Sequence, residues 1–114
     1  MFEPLGVDAP PGYVRRDGHR LELAGEIDID NASEFTDRMT AAVRAGVVEL
    51  DLSRVTFCGA AGVHAILQAP EARAVGGTLR VICCPIVFHV FALCGLGQLD
   101  GLTVVAAPRA PAGR

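Results

Sequence analysis

From Arg20 to Asp30 apolar and polar residues exchange places with a period of two. Leu21 and Leu23 alternate with Arg20 and Glu22, and Ile27 and Ile29 continue against Glu26, Asp28 and Asp30. That period marks an extended strand with one wet face. Asp17-Gly18 separates this run from the preceding GYVRR, and Asp-Gly predicts a two-residue hairpin turn because both residues tolerate positive φ. At Asn31 the period changes. Phe35, Met39, Ala42 and Val43 form one helical stripe opposite Asp37, Arg38 and Arg44. Asn31 is placed to cap that helix, Glu34 to answer it three residues later as a capping box, and Gly46 to end it.

The second half is more apolar. VVELDL predicts a strand, with VTF close behind it, and Gly62 to Val75 reads as a second helix interrupted by Pro70. Proline in a helix interior costs about 3 kcal/mol. The helix therefore either kinks at Pro70 or stops at Ala69 with another beginning beside Pro70, and Gly76-Gly77 terminates it. TLRVICC is a buried strand. Pro85 then opens a third helix, where its missing N–H does little harm, with Val87, Phe88, Phe91 and Ala92 at helical spacing and Gly95 or Gly97 as its stop. LTVVAA closes the series. Helices alternating with strands after a hairpin predict an α/β fold with right-handed crossovers, in which helices cover at least one face of a mixed sheet.

The 114-residue length fits one compact domain, and 51% hydrophobic against 20% charged residues excludes a disordered chain. Residues 1–11 and 107–114 read as flexible tails around a single domain at 12–106. Charge is uneven: residues 1–56 hold eleven acids and six arginines, whereas residues 57–99 hold only Glu71, Arg73 and Arg80. No basic cluster is present to neutralise phosphates, so direct nucleic-acid binding is not expected. No apolar run reaches the roughly 18–20 residues a membrane span needs, and no secretory leader precedes the cysteines. The expectation is a cytoplasmic protein with Cys58, Cys83, Cys84 and Cys94 as free thiols.

Candidate chemistry is sparse. Glu26, Asp28 and Asp30, projecting to one face of a strand, could hold a hard cation, but the simpler reading is a solvated strand edge beside a helix N-terminus. His19, His64 and His89 are too scattered for zinc, and adjacent Cys83 and Cys84 point to opposite faces of a strand. No serine has a nucleophile-elbow context and no cysteine has an evident base, so catalysis has no starting point. The glycine pairs near 76 and 95 lack the lysine of a phosphate loop and read as helix stops. The turn Gly59-Ala60-Ala61-Gly62 remains. It leads from strand to helix with small side chains, which suits either tight packing or close approach of a partner.

LAGEIDIDNASEF, VVELDLSRVTFCGAAGVHAIL and GGTLRVICCP…ALCGL, taken together in this order, resemble the STAS domain family, specifically small bacterial anti-sigma factor antagonists. The resemblance spans about residues 12–106. It implies a STAS-like fold: a four- to five-stranded mixed sheet, largely parallel with an added N-terminal strand, helices mainly on one face and a short last helix. In such proteins the turn usually reads Asp-Ser-Ser-Gly, and its second serine is phosphorylated by a partner that is both serine kinase of the GHKL type and anti-sigma factor. Here Gly59 matches the aspartate, Ala60 the first serine, Ala61 the phosphoacceptor and Gly62 the glycine. Asp28 matches the family's aspartate in its G-x-L-D element, and Asn31 the small polar cap of the first helix.

Alanine has no hydroxyl, so Ala61 cannot accept phosphate, and Thr56 lies in a strand, a poor place for a kinase. The resemblance therefore implies a non-catalytic binding domain without cofactor or metal, whose partner is an anti-sigma factor with a GHKL-type kinase domain. The expected partner face is Asp28, Asn31, Gly59, Ala60, Ala61, Gly62 and His64, with Val63 and Leu67 anchoring the helix. A homodimer stays open. Alternatives are a STAS subunit of a lipid-trafficking or other transport or stress-signalling complex, a metal or enzymatic domain using the acidic strand, and a sensor with a cavity around Cys84 to Cys94.

Overall fold

The computed structural model describes residues 3–4, 12–69, 77–93, 98–99 and 101–107. Their order is β1 (Glu3–Pro4), β2 (Gly12–Asp17), β3 (Arg20–Ile27), α1 (Ala32–Arg44), β4 (Glu49–Cys58), α2 (Ala60–Gln68), β5 (Leu79–Cys83), α3 (Pro85–Leu93), β6 (Gln98–Leu99) and β7 (Leu102–Ala106). One sheet runs β1-β2-β3-β4-β5-β7-β6. Strands β3, β4, β5 and β7 are parallel, β2 is antiparallel to β3, and the two-residue strands β1 and β6 lie antiparallel at the edges. The five longer strands and three helices make the mixed α/β architecture that the alternation predicts. Residues 3–4, within the stretch read as a tail, pair with Tyr13 and Val14.

The hairpin turns one residue later than expected. Asp17 pairs with Arg20, so the turn residues are Gly18 and His19. Gly18 has φ +62°, and no described non-glycine residue has a positive φ, the pattern of a type II′ turn with glycine first. The α1 stop is as expected. Gly46 has φ +107°, its N–H donates to the Val43 carbonyl, and the Val47 N–H reaches the Ala42 carbonyl at 3.0 Å, which together form a Schellman motif.

Segments VVELDL and VTF belong to one strand, β4. Against β3 its register slips twice, between Glu22 and Ala24 and between Gly25 and Glu26, and each slip adds one residue to β4. A bulge of this kind reverses which face the following side chains occupy. Inward positions are therefore Leu50, Leu52, Val55 and Cys58. With Leu21, Leu23, Ile27, Leu79, Val81, Cys83, Leu102 and Val104 they form the face on which Phe35, Met39, Ile66 and Phe91 pack. Among the described residues no helix covers the opposite face. Arg15–Glu22, Arg20–Glu49, Arg20–Asp51 and Arg80–Glu49 ion pairs cross it from strand to strand.

Helix α2 begins at Ala60, two residues before the expected Gly62, and its last helical residue is Gln68 with Ala69 as C-cap. It stops before Pro70; residues 70–76, where a second segment and the Gly76 stop were expected, lie outside the described residues, as do Cys94, Gly95 and Gly97. Pro85 opens α3 as expected. Val87 and Phe91 are buried, Phe88 packs at the core edge, and Ala92 faces solvent instead of completing the stripe. No helix among the described residues is long and apolar enough to cross a membrane.

Candidate functional site

Parallel β3 and β4 end side by side, with Ile27 opposite Cys58, and the Gly59 N–H donates to the Ile27 carbonyl at 3.0 Å. Helices α1 and α2 therefore start from the same end of the sheet and pack against each other. Gly59 is the α2 N-cap in extended conformation, with no side chain to cap the helix. Only the fourth amide of the first turn finds a backbone acceptor in the usual way: Val63 N–H donates to the Gly59 carbonyl at 3.0 Å. The preceding N–H groups have no acceptor within the helix.

The residues named from sequence separate into two layers. Ala60 and His64 are exposed, and Asp28, Gly59 and Ala61 are half-buried. Asn31 and Gly62 are buried, so neither offers a side chain to a partner. Gly62 is required by packing: a Cβ there would lie 2.7 Å from Cys58 Sγ and 2.8 Å from Ile27 Cγ2. This close approach lets α2 leave the sheet directly after β4. Val63 is buried and Leu67 packs against the core, the anchoring role expected of both.

Asn31 makes no side-chain cap hydrogen bond, and the expected capping box with Glu34 is not formed. Its Oδ1 instead accepts from the Asp28 N–H at 2.9 Å, and its Nδ2 donates to the Glu26 carbonyl at 2.7 Å. The asparagine thus ties the β3–α1 turn to the end of β3 from inside. Strand β3 stops at Ile27, which corrects the extended run predicted through Asp30. Asp28 turns back to accept the Asp30 N–H on Oδ1 at 2.9 Å, and Ile29 is thrown outward to 82% exposure. Glu26, Asp28 and Asp30 therefore do not share one strand face. Among the described residues no group of three His, Cys, Asp or Glu side chains is gathered closely enough to hold a metal ion.

Two apolar residues at this end were not picked out from sequence. Ile29 continued an alternation and so read as buried, and Phe57 lies beyond the second β4 bulge, which turns it outward to 52% exposure. The Phe57 ring rests beside Gly59, where an added Cβ would meet Cε2 at 3.4 Å. Between α1 and α2 a groove of about 430 Å³ opens at Ala61, lined by Ile29, Ala32, Ser33, Thr36 and Asp37 on one side and His64, Ala65 and Gln68 on the other. Its lining combines Ile29, Ala32, Ala61 and Ala65 with polar Ser33, Thr36, Asp37, His64 and Gln68.

Cys58, Cys83 and Cys84 are free thiols. Burial pushes Cys58 up to about 11 and Cys83 up to about 12, so neither supplies a thiolate near neutral pH.

The sequence model of the family described as "Mlab, STAS domain" matches residues 13–105. Among solved structures, an anti-sigma factor antagonist from Mycobacterium paratuberculosis superimposes with a TM-score of 0.68 at 23% identity, covering 86% of this chain and 88% of that one. The anti-sigma factor antagonist SpoIIAA in its unphosphorylated form gives 0.61 at 20% identity, over 82% and 87% of the two chains. The phosphorylated Bacillus cell fate determinant SpoIIAA gives 0.56 at 19%, over 82% and 90%. No curated protein sequence matches the chain. At these identities the structures speak for the fold, whereas the family match extends from the start of β2 to the last strand: the chain belongs to the STAS domain family.

Proposed function

We propose that the chain is a non-catalytic, cytoplasmic anti-sigma factor antagonist whose docking surface cannot be switched off by phosphate at the usual position. Its partner in this reading is an anti-sigma factor with a GHKL-type serine kinase domain. The contact face is the first turn of α2 with Gly59, Ala60, Ala61 and His64, flanked by Asp28, Ile29 and Phe57. Asn31 and Gly62 hold that face from beneath.

One observation carries the reading. Ala61, which the resemblance matches to the phosphoacceptor, lies in the accessible first turn of a helix whose neighbours there are small and uncharged. A phosphoserine at such a place adds close to two negative charges and three acceptor oxygens. Alanine removes that option and leaves the surface. An interface on this face needs about 1,200–2,000 Å² in total, with a few residues supplying most of the affinity.

Affinity capture from the native cell tests the reading, with wild type and Ala61→Glu as baits. Recovery of a GHKL-type serine kinase by wild type alone is the expected result. Recovery of a membrane-transporter component would assign the domain to a transport complex instead, and equal recovery of the kinase by both baits would remove the α2 turn from the interface.

A further inference from the structure

The α1–α2 groove has a chemistry of its own. Its walls are Ala32 and Thr36 on α1 and Ala61 and Ala65 on α2, and Ile29 stands at its mouth. Thr36 has its hydroxyl turned into α1, donating to the Ala32 carbonyl at 2.8 Å, so it adds no polar demand to the wall. Among the described residues Asp37 is the only acidic or basic side chain lining the groove apart from His64, and Asp28 and Asp30 flank Ile29 in the chain. Helix α2 contains no Asp, Glu, Lys or Arg.

On the open sheet face the acids are compensated, whereas Asp17, Glu26 and Glu34 make no ion pair among the described residues. Glu22, Glu49 and Asp51 on the open sheet face each pair with an arginine. Asp28, Asp30 and Asp37 make no ion pair among the described residues. Asp28 and Asp30 complement the N-terminal dipole of α1, but Asp37 lies in its second turn, beyond the reach of that effect. Among the described residues the result is a largely apolar slot whose unpaired charge is negative.

We infer that this groove receives a cationic amphipathic segment of the partner protein, which seats an aliphatic or aromatic side chain between Ala32 and Ala65 and sets an arginine or lysine against Asp37. This rests on the reading of this end as the docking face and adds the chemistry of what docks. Opposite charges across a rim act mainly on encounter rate and partner choice, and screening by salt weakens them.

The probe is a synthetic amphipathic helical peptide of leucine and arginine, titrated into the isotopically labelled full chain and followed by amide NMR. Two control peptides replace arginine by glutamate or leucine by serine. Shifts centred on Ile29, Ala32, Ala61 and Ala65 are expected with the Leu/Arg peptide alone. They should weaken at least about fivefold in Asp37→Lys, or when salt rises from about 50 to about 500 mM. Asp37 is exposed, so the variant should keep the native spectrum, which the same experiment reads. Equal binding of the glutamate peptide, shifts centred on the open sheet face, or an unchanged Asp37→Lys titration would overturn the inference. Kinase capture that depends on Ala61 yet ignores Asp37→Lys overturns the groove and spares the docking turn. A groove that binds the Leu/Arg peptide while no anti-sigma factor is captured does the reverse.

Discussion

Three residues at the end of the sheet have separable roles. Gly62 is a packing residue: Gly62→Ala forces a methyl group against Cys58 and Ile27, and overpacking of this kind costs about 1–3 kcal/mol, read as a lower urea midpoint at unchanged m-value. Asn31 holds a turn. In Asn31→Leu the Asp28 N–H and the Glu26 carbonyl lose their partner, with an expected loss of about 2 kcal/mol and disordered amide signals over residues 26–31. Ala61 is a half-buried residue of the first turn. Ala61→Ser should change stability by less than about 0.5 kcal/mol while gaining a phosphate, seen by mass spectrometry, when incubated with the captured kinase and ATP. If Ala61→Ser unfolds the protein, or takes no phosphate, its placement as a lapsed acceptor is wrong.

At the scale of elements, legibility followed how local the deciding forces were. The α1 stripe, its Gly46 stop, Pro85 at the start of α3 and the strand around Val81 were all readable, because periodicity and backbone preference decide them within a few residues. The β4 bulges were not. They arise where two parallel strands of unequal residue count must stay in contact, and only the partner strand reveals that Phe57 faces outward. Asn31 misled for a related reason. Its residue type suits a cap, yet tertiary burial offered it two backbone partners at the end of β3, and it took those. Of the candidate face, Gly59 to Ala61 were expected from family resemblance and His64 from its place beside them, whereas the groove and Ile29 depend on how α1 meets α2. The hairpin gives an element-scale test. Gly18 has a left-handed φ, and a Cβ added there would find nothing within 4 Å, so Gly18→Ala meets backbone strain alone. It should cost about 1 kcal/mol, with Gly18→Asn less damaging; urea midpoints of the two variants read the difference.

For the whole molecule, charge and burial set the response to pH and define what the surface can do. The thiols of Cys58 and Cys83, which ionise near 9.0 in the unfolded chain, are raised to about 11 and about 12 in the fold, first by burial. Below pH 9.0 both states keep these protons and the full stability is present. As pH climbs toward the folded values, the unfolded chain releases protons that the folded one retains, so stability falls. A falling urea midpoint between roughly pH 9 and pH 11, flattened in Cys58→Ala/Cys83→Val, is the expected result. In the proposed reading, small side chains at the start of α2 make a docking surface that phosphate cannot shut. The most direct measurement is calorimetric titration of the captured anti-sigma kinase with wild type and Ala61→Glu, each before and after incubation with Mg-ATP. The expected result is a wild-type affinity that ATP treatment leaves unchanged, and at least about tenfold weaker binding by a fully folded Ala61→Glu. Release of the wild-type protein after phosphorylation, or equal binding of the two proteins, would contradict it.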